Sequence, residues 1–506
     1  MIQHNENGLN GNINLKLNFL TLDDIIKRTA LNSGLDEESI DKEYDIIKED
    51  YGRRAFGGKV VIVRSDLNSP VRQDEHGQYQ IAGAERIEAS AATIDELSGY
   101  GAKVVVISHQ GTPGREDCIS LEPHSVLLKE SLEKLGNPLE KIIFGRALWY
   151  GTTTEKIIKE EMPDGGIFLL DNIRKMSDEM GPANPEEFAK IPDSYMEIIG
   201  NLADFYVNDA FSTSHRWQAS IVGFPNLLNI AGRLTEKEIK ENSELISSIR
   251  HPYTMLMGGI KISGYLDFME KSLENGLVDH ILATGALGIL GVLGIRGRRA
   301  RNYLGRQTVD FLQEKGIHSE LNTVTGLARR YDEAFVLPVD FKVELDGEVY
   351  NKTVEEIQKH PDKDRMNLYG IGPETVARFN EILGGSKTIY IKGSPTKDDD
   401  ERFLSESQQL IDSIVQLKKK GATTIVSGGD TNNLVSRLHY FPQTDFTFST
   451  LAGGAATEYH SGILLPGLLM LNTSYNQFNG RTLSEGLENY NFGFKLESPK
   501  KPVDLI

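Results

Sequence analysis

Short, largely apolar runs recur along this chain, and the stretches between them carry helical spacing. Val60–Val63, Lys103–Ser108, Lys141–Phe144, Gly166–Leu170 and Ala203–Val207 read as buried strands, with helical patterns at Gly83–Leu97 and Leu121–Leu135. Strands apolar throughout need cover on both faces, and alternation with helices of roughly 10–15 residues gives a doubly wound parallel sheet. An amphipathic stretch follows at Gly232–Ile249, with Leu234, Ile239, Leu245 and Ile249 apolar. The alternation then restarts at Tyr253–Met257, His280–Ala283, Glu333–Pro338, Thr388–Ile391 and Thr423–Val426. The expected class is α/β: two doubly wound, Rossmann-like parallel-sheet domains joined by a helix. At roughly 100–200 residues per domain, 506 residues accommodate this.

The expected limits are an N-terminal extension over 1–57, a first domain over 58–232, a linking helix over 233–249, a second domain over 250–472 and a tail over 473–506. The extension has helical patterns at Asp23–Ala30 and Glu37–Glu49, and its role is open among oligomer contact, lid and padding. The polar tail after Leu471 is given no element.

The net charge of −18 argues against nonspecific nucleic-acid binding and against anionic membranes, so an anionic ligand must meet a local cationic patch. A single cysteine, Cys118, leaves no disulfide scaffold or cysteine metal site. The polar N-terminus lacks a signal-peptide layout and no apolar run reaches about 18 residues, so the expected compartment is the cytoplasm.

Ligands of open α/β sheets bind beyond the carboxyl ends of the strands, and there the sequence concentrates its chemistry. In the first half the strands run into Arg64-Ser-Asp66-Leu-Asn68, Ser108-His109-Gln110-Gly111, Asp171-Asn172-Ile-Arg174 and Asn208-Asp209-Ala-Phe211, the last leading to His215-Arg216. Arg86 opens a helix. Four arginines and a histidine in such places make an anion pocket, because the guanidinium fork binds phosphate and carboxylate bidentately. In the second half, Gly258-Gly259-Ile-Lys261 and Ser427-Gly428-Gly429-Asp430-Thr431 end strands in glycine beside a charged residue. Such glycines let backbone N–H groups face phosphate, Lys261 adds a point charge and Asp430 is a handle for nucleotide-bound Mg²⁺. No Gly-x-Gly-x-x-Gly closes the first strand, which ranks a dinucleotide-binding dehydrogenase far below.

Arg64-Ser-Asp66-Leu-Asn68-Ser-Pro70 resembles the Arg-Val-Asp-Phe-Asn-Val-Pro signature of phosphoglycerate kinases. Further segments resemble that family in the same order, from Ser108–Pro113 to Leu465-Pro-Gly467, and the match runs from about Lys59 to Leu471. The resemblance implies phosphoryl transfer between ATP and the carboxylate of 3-phosphoglycerate by closure of two domains, in a protein acting as a monomer. It implies that the first half binds the acid through Arg64, Asp66, Asn68, Arg86, His109, Arg174 and Arg216, with Arg86 as the transition-state cation. It assigns Mg-ATP or Mg-ADP to Gly258, Gly259, Lys261, Gly285, Lys392, Asp399, Gly428, Gly429, Asp430 and Thr431, with Asp430 at the metal. Arg86, Lys261, Gly453 and Gly454 are the implied catalytic set.

The chain also departs from that pattern. Thr112 stands where the family has an arginine, with Arg115 three residues on, and Tyr265 replaces a phosphate-side lysine. Lys392 stands at the family's phosphate-contacting asparagine and Asp399 at its ribose-binding glutamate, so Lys392 is expected to restore the charge lost at Tyr265. A kinase of the same fold acting on another carboxylic acid, and a metabolite-binding relative with weakened transfer, are the alternatives.

Overall fold

The computed structural model describes residues 18–74, 77, 79–137, 142–146, 151–180, 195–222, 224, 227–296, 303–450, 453–460 and 465–479. The chain divides into two compact units, Met1–Lys240 together with Leu464–Ile506, and Glu241–Ile463.

The first unit contains β1 (Val60–Ser65), β2 (Val71–Gln73), β3 (Tyr79–Ile81), β4 (Lys103–Ile107), β5 (Ile142–Gly145), β6 (Ile167–Leu170), β7 (Phe205–Asp209) and β8 (Leu228–Ala231). Six of them form a parallel sheet in the order β5-β6-β4-β1-β7-β8, while β2 and β3 make a small antiparallel hairpin. The chain crosses from β1 to β4 on one side and later returns with β7 on the other. A crevice therefore opens beyond the carboxyl end of β1, where neighbouring crossovers diverge.

The second unit repeats the plan with β9 (Tyr253–Met257), β10 (His280–Ala283), β11 (Phe335–Val336), β12 (Asp340–Leu345), β13 (Glu348–Thr353), β14 (Asn367–Ile371), β15 (Thr388–Lys392), β16 (Thr423–Ser427) and β17 (Phe448–Thr450). Its parallel sheet runs β11-β10-β9-β15-β16-β17, so the switch falls at β9. A separate antiparallel sheet, β13-β12-β14, is an addition to the expected plan.

The extension is part of the first unit's core. Helices Leu22–Asn32 and Glu37–Phe56 start at Thr21, whose side chain and Asp24 form a capping box, and at Asp36. Leu20, Leu22, Ile25, Ile26 and Phe56 are fully buried in one cluster with Val61, Val63 and Val104. Thr21 bridges to Ala231, and the Ala231 N–H donates to the Leu20 carbonyl at 2.8 Å, so the chain enters alongside β8.

The division between the two units lies within the expected linking helix. It falls inside the helix Arg233–Ser248, between Lys240 and Glu241. Helix Pro466–Phe478 extends past the expected end at Leu471 and packs in the first unit. Its apolar run needs a face: Met470 clusters with Ile221 and Val222, and Phe478 joins the core under the extension. Its polar side supplies the Ser474 hydroxyl, which accepts from the Asn229 N–H at 2.8 Å. Expected residue Lys141 and the tail from 480 onward lie outside the described residues.

If the extension is core, Ile25→Ala lowers unfolding stability by about 2–5 kcal/mol in a denaturant titration. A detachable lid would leave the transition unmoved.

Candidate active site

The carboxyl ends of β1, β4, β6 and β7 carry the first cluster. Asp66 follows β1 and is 4% exposed. It accepts from the Ser212 hydroxyl at 2.5 Å and forms an ion pair with Arg86, which lies in the first turn of helix Glu85–Gly99. A cation near a helix N-terminus opposes the helix dipole, and the Asp66 carboxylate offsets this. Asn68 accepts from the Gly111 N–H at 2.8 Å, and Arg174 donates to the Gly111 carbonyl. Gly111 has φ 68°, and a Cβ there would meet the Asp117 carbonyl oxygen at 2.2 Å, so only glycine fits. Asn172 exchanges hydrogen bonds with the Gln110 backbone at 3.2 and 2.7 Å, which ties the loops after β4 and β6 together.

The charges of this cluster act on one another. Burial, followed by Arg64, Arg174, Arg216 and Arg86, pushes the His109 pKa well below the usual imidazole value. Burial, then Arg216 and Arg64, pulls Arg174 down to about 10. The expected set is thus brought into one electrostatic volume, with Arg216 at its exposed side. Arg64 differs from expectation. It is fully buried, and its guanidinium bonds to Ser220, the Ser65 carbonyl and His109. Its guanidinium is thus turned to protein groups, His109 among them, rather than left as an open fork. Thr112 lies in an exposed turn, where its carbonyl accepts from the Arg115 N–H at 3.0 Å.

In the second unit the strand ends interlock through backbone. The Gly258 N–H donates to the Lys392 carbonyl and the Gly259 N–H to the Ser394 carbonyl, both at 2.8 Å. A Cβ on Gly393 would lie 2.1 Å from the Gly258 oxygen, and one on Gly285 would lie 2.7 Å from the Gly259 nitrogen. Gly428 caps helix Gly429–Arg437, whose first turn carries Asp430. Lys261 Nζ pairs with Asp430 at 3.0 Å, and both side chains are exposed. Gly453 and Gly454 begin helix Gly453–His460.

Three residues stand differently from expectation. The Thr431 hydroxyl, expected to face phosphate, donates to the Ser427 carbonyl and accepts from the Gly393 N–H, both at 2.8 Å. Tyr265, expected to share the phosphate side with Lys392, is 3% exposed and donates to the Gly258 carbonyl at 2.6 Å, so it props the glycine turn from below. Asp399 is exposed, with Lys397 3.9 Å away.

Lys392 ends β15 with its Nζ 3.8 Å from where a Cβ on Gly428 would stand. Burial pulls its pKa down to about 8, against the upward pull of Asp430. Among the described residues no group of three or more His, Cys, Asp or Glu could hold a metal by itself. One exposed carboxylate at a glycine-capped helix start suits Mg²⁺, which keeps waters and phosphate oxygens as its other ligands. Glu179 and Ser220, which back the arginine cluster, were not readable locally, whereas Ser212 sits inside a motif that was.

Two doubly wound sheets, one ending in a guanidinium cluster and the other in interlocked glycines and a helix N-terminus, define a two-part α/β protein. A family model described as phosphoglycerate kinase matches residues 53–463. The phosphoglycerate kinase of Aeropyrum pernix is 34% identical, over 83% of this chain and 95% of that protein. That of Methanothermobacter thermautotrophicus is 28% identical, over 82% and 95%. The solved phosphoglycerate kinase of Pyrococcus horikoshii superposes with a TM-score of 0.69 at 27% identity, covering 83% of this chain and 98% of that one. The chain belongs to the phosphoglycerate kinase family and is a kinase. No helix among the described residues is long and apolar enough to cross a membrane.

The Lys392 environment gives a pH dependence with a definite sign. Its folded pKa of about 8 lies below the 10.5 of an unperturbed lysine, so between those values the unfolded chain holds a proton that the folded chain has lost. Stability due to this residue therefore rises with pH across that window. Denaturant titrations from pH 8 to 10.5 will show the wild type gaining stability relative to Lys392→Met.

Proposed function

We propose that this chain transfers a phosphoryl group between ATP and the carboxylate of 3-phosphoglycerate, running 1,3-bisphosphoglycerate + ADP = 3-phosphoglycerate + ATP. The observation that carries this reading is the crowding of Arg64, Arg86, Arg174 and Arg216 around a buried His109. Burial and then these four cations hold the imidazole neutral, and four guanidinium groups at the ends of one sheet's strands suit a multiply charged anion such as a phosphorylated acid. Asp66 and Asn68 fix the loops around it, and Arg86, ion-paired with Asp66 and partly exposed, is placed to stabilise transferring charge. The carboxylate nucleophile is already ionised at neutral pH and needs no base, which leaves His109 a binding role.

The nucleotide is assigned to the second unit. The N–H groups near Gly258, Gly259, Gly428, Gly429 and Thr431, and those of Gly453 and Gly454, would face its phosphates, together with Lys261 and Lys392. Asp430 would hold nucleotide-bound Mg²⁺, which supplies charge neutralisation at the phosphate oxygens. Closure of the two units would bring the carboxylate in line with the transferred phosphoryl group and exclude water. Such transfer depends on positioning and electrostatics more than on covalent chemistry. The expected metabolic setting is the cytoplasm.

Thr112 favours a second reading, a kinase for a different acid, because it leaves the cation of that turn to Arg115, three residues on. A coupled assay with ATP, Mg²⁺ and 3-phosphoglycerate separates the two. The first reading requires turnover on the order of 1–100 s⁻¹, with Arg86→Ala reducing it by roughly 10²–10³-fold. Absent turnover with 3-phosphoglycerate, or full activity in Arg86→Ala, would contradict it.

A further inference from the structure

Behind the arginine cluster lies a chain of hydrogen bonds in which Arg64 donates toward both ends. Glu179 and Ser220 are both fully buried. Glu179 accepts from the Ser220 hydroxyl at 2.7 Å through Oε1 and from the Ser220 N–H at 2.8 Å through Oε2. A hydroxyl has one proton, so Ser220 Oγ, having donated to the carboxylate, must accept from Arg64 Nε at 2.8 Å. Arg64 NH1 donates to the Ser65 carbonyl at 2.5 Å, which holds the guanidinium plane against β1. Arg64 NH2 lies 3.1 Å from His109 Nδ1. A guanidinium has no acceptor, so this bond forms only if Nδ1 is unprotonated. The neutral ring must then carry its proton on Nε2.

We propose that Glu179 and Ser220 are positioning residues for acid binding: through Arg64 they fix the His109 ring in the Nε2–H tautomer, so that the site offers the acid a neutral donor already aimed. The inference rests on the acid reading of the first unit and deepens it. Glu179 sits behind the cluster, out of the ligand's reach, and acts through three intervening hydrogen bonds. Its charge also lies among the arginines, where it raises the proton affinity of Arg174 while the neighbouring guanidinium groups lower it. The ligand consequently meets an ordered set of donors rather than mobile cations, and pre-organised donors cost less to align on binding.

The test is made on the full chain labelled with ¹⁵N at histidine, using His109→Gln to assign the ring. Ser220→Ala removes one hydroxyl, Glu179→Gln keeps the shape and removes the charge, and Ser220→Thr restores the hydroxyl. In the wild type the His109 ring shows the Nε2–H pattern throughout neutral pH. In Ser220→Ala and Glu179→Gln it shifts to a tautomer mixture. KM for 3-phosphoglycerate rises about tenfold, the scale of one hydrogen bond to a charged group, while KM for the nucleotide stays unchanged. Ser220→Thr returns both readouts toward the wild type.

An unchanged ring pattern in both variants would overturn the proposal, whatever KM does, and so would a shifted pattern with KM for the acid unmoved. If the wild type neither binds nor turns over 3-phosphoglycerate, the substrate reading fails while the ring spectra still decide the relay. Should Glu179→Gln fail to fold, Ser220→Ala alone decides between these outcomes.

Discussion

Parallel strands that end together leave their last backbone groups and side chains facing the same gap. At β1 in the first unit and β9 in the second, the crossovers leave in opposite directions, which opens the gap beyond the strand ends. Polar groups there must satisfy one another or a ligand, because a buried unpaired donor costs on the order of 1–3 kcal/mol. The two units meet this demand differently. The first uses side chains: Asn68, Gln110, Asn172 and Arg174 stitch three loops together. The second uses backbone: the Gly258, Gly259 and Gly393 turns approach so closely that a methyl group could not enter between Gly393 and Gly258. Side chains suit a small, highly charged acid, and bare backbone suits phosphates and a flat nucleoside.

Electrostatics runs against the net charge in both places. A chain of net charge −18 gathers arginines around His109, and the offset comes from Asp66 in front and Glu179 behind. In the second unit Lys392 is half-buried against the start of a helix, where the dipole and desolvation both disfavour its charge. Asp430 offsets part of this and is itself paired with Lys261. A phosphate bound there would offset the desolvation of Lys392.

The parallel sheets were legible because their strands are short and apolar. Tyr253–Met257 and His280–Ala283 stand where the sequence put them, and Thr388–Lys392 and Thr423–Ser427 extend one residue further. Strand β8 escaped because Asn229 interrupts a four-residue run, and its buried amide pairs with the Phe224 and Leu227 carbonyls. The sheet β13-β12-β14 escaped because charges alternate with its apolar residues, as at Lys342, which ion-pairs with Glu406 on a helix far along the chain. Helix Pro466–Phe478 was cut short because its second half is rich in polar residues, of which Asn472 and Ser474 here bond to the Asn18 carbonyl and the Asn229 N–H. Site motifs were legible as strand ends, yet their partners were not. Nothing near Arg64 in the sequence points to Ser220 or Glu179, and nothing near Tyr265 shows that its hydroxyl faces inward to Gly258.

The central claim is that the two ligands go to two different strand-end clusters. Amide hydrogen exchange tests it directly, read with 3-phosphoglycerate alone and with Mg-ADP alone. The account predicts that the acid slows exchange at 65–69, 109–112 and 210–216 and leaves the second unit unaltered. Mg-ADP should slow exchange at 258–261, 393–394 and 428–431. Protection of the glycine turns by the acid, or of the arginine loops by the nucleotide, would contradict it.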